Sequence, residues 1–149
     1  MIAVADASPL CYLVLIGEID LLPKLFLHVA VPHAVITELL HEDAPEAVRT
    51  WASNPPGWIG VKENPLSATT GLEKLQGGEQ AAILLLESMK ADIVLLDEKA
   101  ARRVAVDRGL RVTGLLGVFW AKPPFWDWLS SRPRSTNSGR RVSDPPRLC

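Results

Sequence analysis

Cysteine is scarce in this chain. Cys11 and Cys149 are the only two, and their spacing matches neither a disulfide framework nor a metal-binding pair. That argues against a disulfide-stapled secreted scaffold and for a reducing, cytoplasmic compartment. Long apolar runs are missing too: no stretch reaches the roughly 18 residues that a membrane helix needs. The opening ten residues carry no basic region and place Asp6 inside the first apolar stretch, so they do not read as a secretory signal. His28, His33 and His41 have no zinc-type spacing with the cysteines. Glycine is not arranged as a phosphate loop or a dinucleotide fingerprint. Ser8 has no evident His/Asp partner for nucleophilic catalysis.

A broad basic face is also absent. The formal net charge of −1 hides an asymmetry: residues 1–129 hold 11 Lys/Arg against 16 Asp/Glu, and the last twenty residues hold five arginines against Asp144 alone. An acidic body does not bind polyanions passively, so any contact with nucleic acid has to run through metal ions and a few placed arginines. With 149 residues, 48% of them apolar, the chain can bury one core without a disulfide or a structural metal.

What is present is an alternation of strands and helices. Residues 75–114 read as turn, helix, strand, helix, strand. Gly77-Gly78 breaks the chain, Glu79 opens a helix to about residue 90, residues 93–96 form an apolar strand ended by Asp97, and a helix over 98–108 stops at Gly109. Before it, a strand over 2–5 ends in Asp6, and a helix follows with Ser8 as cap and Pro9 at its first position. Helical spacing continues over 18–26, a strand over 27–31, a helix over 33–41 and a short helix over 45–54. Residues 58–62 alternate as an edge strand, and 65–78 form a polar connector with one helical turn around Leu72. A last strand over 111–113 and a helix over 114–122 complete the pattern. Near-continuous apolar strands between helices imply an α/β sandwich with a central, mainly parallel sheet covered on both faces. The domain is expected to span residues 1–122. From Pro123 the texture turns to proline, arginine and serine, for which disorder is the expectation.

Four acids stand out. Residues 2–6 and 93–97 mirror each other, each an apolar strand closed by Asp before a helix, which puts Asp6 and Asp97 on one rim of a parallel sheet. Either could simply cap its helix, but two carboxylates converging in a cleft call for a cation or a shared proton. Glu79 suits the dipole of a first helical turn, yet lies at the edge of a buried stripe with Ile83 and Leu86. Glu38 falls off the stripe of Val35, Ile36, Leu39 and Leu40 and reads as a solvated surface acid. Carboxylates on one rim suit Mg²⁺ or Mn²⁺. Arg102 and Arg103, one turn after Asp97, read as a solvated helix face or as one arginine holding a phosphate.

The segments DASPL (from Asp6), VPHAVITELL (from Val31), GGEQAAILLLES (from Gly77) and IVLLDEKAARRVA (from Ile93), followed by GLRVTG, resemble in order and spacing the PIN-domain superfamily. The likeness covers about residues 1–122 and is to the short bacterial and archaeal branch that includes VapC-type toxins, with a GE-containing helix and an LDxxxAR motif. That resemblance implies a PIN-like three-layer sandwich and an Mg²⁺- or Mn²⁺-dependent ribonuclease. It implies Asp6, Glu38, Glu79 and Asp97 as the acidic set, restoring Glu38, with Ser8 as a hydroxyl neighbour and Arg102 as the motif arginine. It further implies a small antitoxin partner and a homodimer. The departure from the family pattern comes after Lys122.

The reading that results is a cytoplasmic, metal-dependent endoribonuclease acting as a toxin, with RNA as substrate. The competing reading is a non-catalytic PIN-like module that works by binding a protein. A receiver-like signalling domain is disfavoured, because Asp6 stands alone between Ala5 and Ala7 and no lysine ends a late strand.

Overall fold

Three short apolar segments, each flanked by helices, build the centre of the molecule. The computed structural model describes residues 1–66 and 69–120. Its strands are β1 (Ile2–Ala5), β2 (His28–Pro32), β3 (Ile59–Lys62), β4 (Ile93–Leu95) and β5 (Val112–Thr113). They form one sheet in the order β3-β2-β1-β4-β5, and every pairing is parallel. The helices are α1 (Ala7–Leu15), α2 (Leu22–Leu25), α3 (His33–Leu39), α4 (Glu46–Ser53), α5 (Gly77–Met89), α6 (Lys99–Asp107) and α7 (Leu115–Trp120).

Strand side chains alternate between faces, so each strand feeds two cores. Ala3, Ala5, Val29, Val31, Ile93 and Leu95 pack with Leu10 and Leu13 of α1, Val35 and Leu39 of α3, and Val48 of α4. Val4, Ala30, Val94 and Leu96 turn the other way, onto Ala82, Ile83 and Leu86 of α5 and Ala101 and Ala105 of α6. Fully burying a leucine such as Leu10 or Leu13 contributes roughly 1.5–3 kcal/mol. The arrangement is a PIN-like α/β fold with helices on both faces of the sheet.

The strand order sets where a site can form. The chain moves from β1 to β2 to β3 on one side, then returns through α5 to β4 on the other side of β1. The direction of winding therefore reverses between β1 and β4, and the carboxyl ends of those strands flank a natural crevice. Ala5 pairs with Leu95 in that ladder, and the Asp6 N–H donates to the Leu95 carbonyl at 3.1 Å. Asp6 and Asp97 thus leave the sheet on the same rim, as the mirrored segments suggested.

Several local expectations need correction. Ser8 does not cap α1: Asp6 occupies the cap position, and Ser8 and Pro9 lie inside the first turn. Residues 18–26 are not one helix but a 3₁₀ turn, Ile19–Leu21, running into α2, with Pro23 inside that helix's first turn. The connector has no helix at Leu72. Successive turns there bond Leu72 N–H to the Thr69 carbonyl and Leu75 N–H to the Leu72 carbonyl, and bury Leu72 completely. Among the described residues no helix is long and apolar enough to cross a membrane. The expectations for residues 123–149, and for the cysteine pair that includes Cys149, lie outside the described residues.

Candidate metal centre

The rim begins with Asp6. Strand β1 is buried on both sides, so its carboxyl end delivers Asp6 inside the protein, where the residue is 3% exposed. Its Oδ1 is buried without a hydrogen-bond partner. A carboxylate oxygen left in that condition is costly. Burial is the largest influence on the group and pushes its pKa from 3.8 up to about 7. The Ala7 N–H pulls the other way, and the charges of Glu79, Glu38 and Asp97 add repulsion. All four predicted acids therefore share one electrostatic neighbourhood.

Glu38 reaches this place from α3. The residue is exposed, as the stripe pattern implied, but its carboxylate folds back onto the start of α5. A Cβ added at Gly78 would lie 2.6 Å from Glu38 Oε1 and 3.1 Å from Asp6 Oδ1. Gly78 thus leaves room for two carboxylates. Desolvation raises the Glu38 pKa, and the Gly78 N–H opposes that rise. Sequence reasoning saw Gly77-Gly78 only as a break in the chain. Its nearness to an acidic helix start was the available signal.

Glu79 follows at once, 5% exposed in the first turn of α5. It closes a capping box: the Gln76 N–H donates to Glu79 Oε2 at 3.0 Å, and the Gln76 side chain accepts from the Glu79 N–H. The helix-start role first assigned to it is real, and it lies inside the acidic cluster all the same.

Asp97 is held differently. It does not cap α6, whose cap position is Glu98. Its Oδ1 accepts the N–H of Leu115 at 2.8 Å, which ties the end of β4 to the start of α7 across 18 residues. A Cβ at Gly114 would lie 3.0 Å from Asp97 Oδ1 and 3.4 Å from Arg102 Nη1, so this glycine also makes room for a carboxylate. Arg102 is half-buried and faces that spot, whereas Arg103 is exposed to solvent. Ser8 lines a cavity of about 500 Å³ that Glu38 and Gln76 also line, which opens beside the rim.

The donor set fits a hard divalent cation: carboxylate oxygens only, two of them meeting at Gly78, and two, Asp6 Oδ1 and Asp97 Oδ2, buried without a hydrogen-bond partner. Among the described residues, no three acidic, His or Cys side chains form a ready-made cage. Glu79 and Asp97 each commit one oxygen to a backbone N–H. A carboxylate has two oxygens, so such a bond orients the group without consuming it.

A family model described as a PIN domain matches residues 2–122. Among solved structures, the chain is similar to a PilT N-terminus domain protein from the hyperthermophilic archaeon Sulfolobus solfataricus. The TM-score is 0.59 at 11% identity, covering 81% of this chain and 92% of that one. That likeness is one of fold. The comparison with curated proteins finds no match.

Proposed function

Because the chain belongs to the PIN-domain family, we propose that it is a metal-dependent endoribonuclease, the toxin of a cytoplasmic toxin–antitoxin pair. The observation that carries this reading is Asp6 Oδ1, buried, unpartnered and ringed by the charges of three further carboxylates. Asp6, Glu38, Glu79 and Asp97 would hold Mg²⁺ or Mn²⁺. Bound there, the cation supplies a lowered pKa for water and neutralises charge on a phosphodiester.

The protein's own part is positioning. The β1 and β4 backbones fix Asp6 and Asp97 on one rim, and the Leu115 N–H fixes the orientation of Asp97. Arg102 offers a guanidinium to a phosphate oxygen at the Gly114 end. Ser8 offers a hydroxyl at the opposite end, beside Glu38. The capping box holds Glu79 inside the cluster. Dimerisation, and a small antitoxin that covers the acidic rim, complete the proposal.

The reading as a non-catalytic, protein-binding PIN-like module draws on the backbone bonds of Glu79 and Asp97, which give both acids a structural use. Activity separates the two. Purified protein is expected to cleave RNA with Mn²⁺ and to lose cleavage with EDTA or on Asp6→Asn. Cleavage that survives both treatments contradicts the nuclease reading.

A further inference from the structure

The cavity beside the rim has a chemistry of its own. It lies between the first turn of α1 and the segment from α3 to α4, and it shares Ser8 and Glu38 with the acidic site. A phosphodiester bound at the rim has a nucleoside on each side, and this half-open cleft lies next to it. At about 500 Å³ the cavity is ample for one heterocyclic base. Its floor is apolar, with Cys11, Leu39 and Val48, and its mouth carries His41 and Asp43.

The charged groups of the lining are of one sign. No lysine or arginine lines the cavity, while Glu38 and Asp43 both do. The Thr37 hydroxyl donates to the His33 carbonyl at 3.0 Å, which leaves its oxygen as an acceptor. The Asp43 N–H donates to His41 Nδ1 at 3.2 Å, which fixes the imidazole orientation and keeps the ring beside the Asp43 carboxylate. The mouth therefore offers carboxylate acceptors, with an exposed flat ring and the exposed Asp43 carboxylate at its edge. Unstacked bases are recognised by stacking on such rings and by hydrogen bonds to their pairing edge. A carboxylate accepts two parallel N–H bonds. Guanine alone among the four RNA bases presents two adjacent N–H donors on its pairing edge.

We propose that the cavity lined by Thr37, His41 and Asp43 is a base subsite that selects guanine next to the cleaved phosphate. The adjacency to a cleaved phosphate rests on the nuclease reading; the selectivity of the cavity does not. Asp43 and Thr37 accept from the guanine edge, His41 covers one face, and Leu39 and Val48 form the apolar floor.

The test uses uncharged nucleosides with the full chain, without divalent ions, followed by NMR chemical-shift titration. Guanosine is expected to bind at least about 10-fold more tightly than adenosine, cytidine or uridine, the scale of one good bidentate contact. Shifts should centre on Thr37, His41 and Asp43. Asp43→Asn should abolish the preference, and Ala44→Trp, which fills the cavity, should abolish binding with the spectrum of the folded core retained. Equal binding of the four nucleosides, binding of none, or a guanosine preference that persists in both variants overturns the proposal. The nuclease reading is judged separately, by Mn²⁺-dependent cleavage and its loss in Asp6→Asn. Cleavage without guanosine selectivity removes the subsite alone. Selectivity without cleavage keeps the guanine site and removes the nuclease.

Discussion

Asp6 and Asp97 close two neighbouring strands, stand on one rim, and each press against a glycine, yet their surroundings differ in kind. Asp97 accepts a backbone N–H from Leu115 and has the Arg102 guanidinium near the same glycine. Each keeps one buried oxygen with no hydrogen-bond partner, Asp6 Oδ1 and Asp97 Oδ2, but the neighbours of Asp6 across Gly78 and in α5 are acids. The Asp97 end has a cationic side chain close by. The Asp6 end has like charges beside it, and burial first and their repulsion second raise its carboxyl to a pKa of about 7. Where a fold leaves a buried charge short of partners beside others of the same sign, a cation is the partner that relieves all of them.

Breaking the Asp6 end should have the largest effect. Asp6→Asn should lower Mn²⁺-dependent RNA cleavage by on the order of 10²–10³-fold, the scale set by removing one preorganised charge-stabilising group, measured at saturating RNA. The next step is to fill the gap between the acids. Gly78→Ala puts a Cβ 2.6 Å from Glu38 Oε1. Glu38 is an exposed, flexible side chain and can swing away, so the fold should survive while Mn²⁺ affinity falls by about 10–100-fold. Isothermal titration of the metal checks this.

The comparison sharpens further with pH. The unfolded chain loses the Asp6 proton near 3.8, and the metal-free folded chain keeps it until about 7. Between those values the folded state binds more protons, so this group makes stability fall as pH rises through the window and contributes no slope above it. Relative to the parent, metal-free Asp6→Asn should gain nothing near pH 4 and about 2–4 kcal/mol by pH 8, read from urea unfolding. A difference that does not vary with pH would contradict the buried, protonated carboxyl. The Asp97 end, with the Arg102 guanidinium near the same glycine, should respond least. Gly114→Ala meets Asp97 Oδ1 at 3.0 Å, a contact that a small shift of α7 relieves. It should cost about 1 kcal/mol of stability and change Mn²⁺ affinity less than Gly78→Ala does.

Local pattern made much of the frame legible. Strand β1 and helices α5 and α6 follow from apolar runs bounded by Asp, Gly and a cap, and the mirrored segments placed Asp6 and Asp97 together before any coordinates did. What local pattern missed was contact across distance. Glu38 lies on the solvent side of its own helix, and only the packing of α3 beside α5 turns its carboxylate onto Gly78. Asp97 is bound 18 residues downstream, so no window centred on it could distinguish a cap of α6 from a tie to α7. At the start of α1, Ser8-Pro9 has the composition of a cap and first turn, but Asp6 takes the cap position, where the β1 ladder delivers it. Periodicity read the exposure of Glu38, and the family resemblance alone named it with the other acids, because a family pattern carries long-range contacts that one sequence does not display.

The central claim is that the four carboxylates form a cation site completed at Asp6. The most direct measurement is Mn²⁺ binding to the metal-free protein, followed in parallel for the parent, Asp6→Asn and Glu38→Gln. The parent is expected to bind, Asp6→Asn to lose about 100-fold in affinity, and Glu38→Gln to lose less. Equal Mn²⁺ affinity in all three, or no binding by the parent, would contradict it.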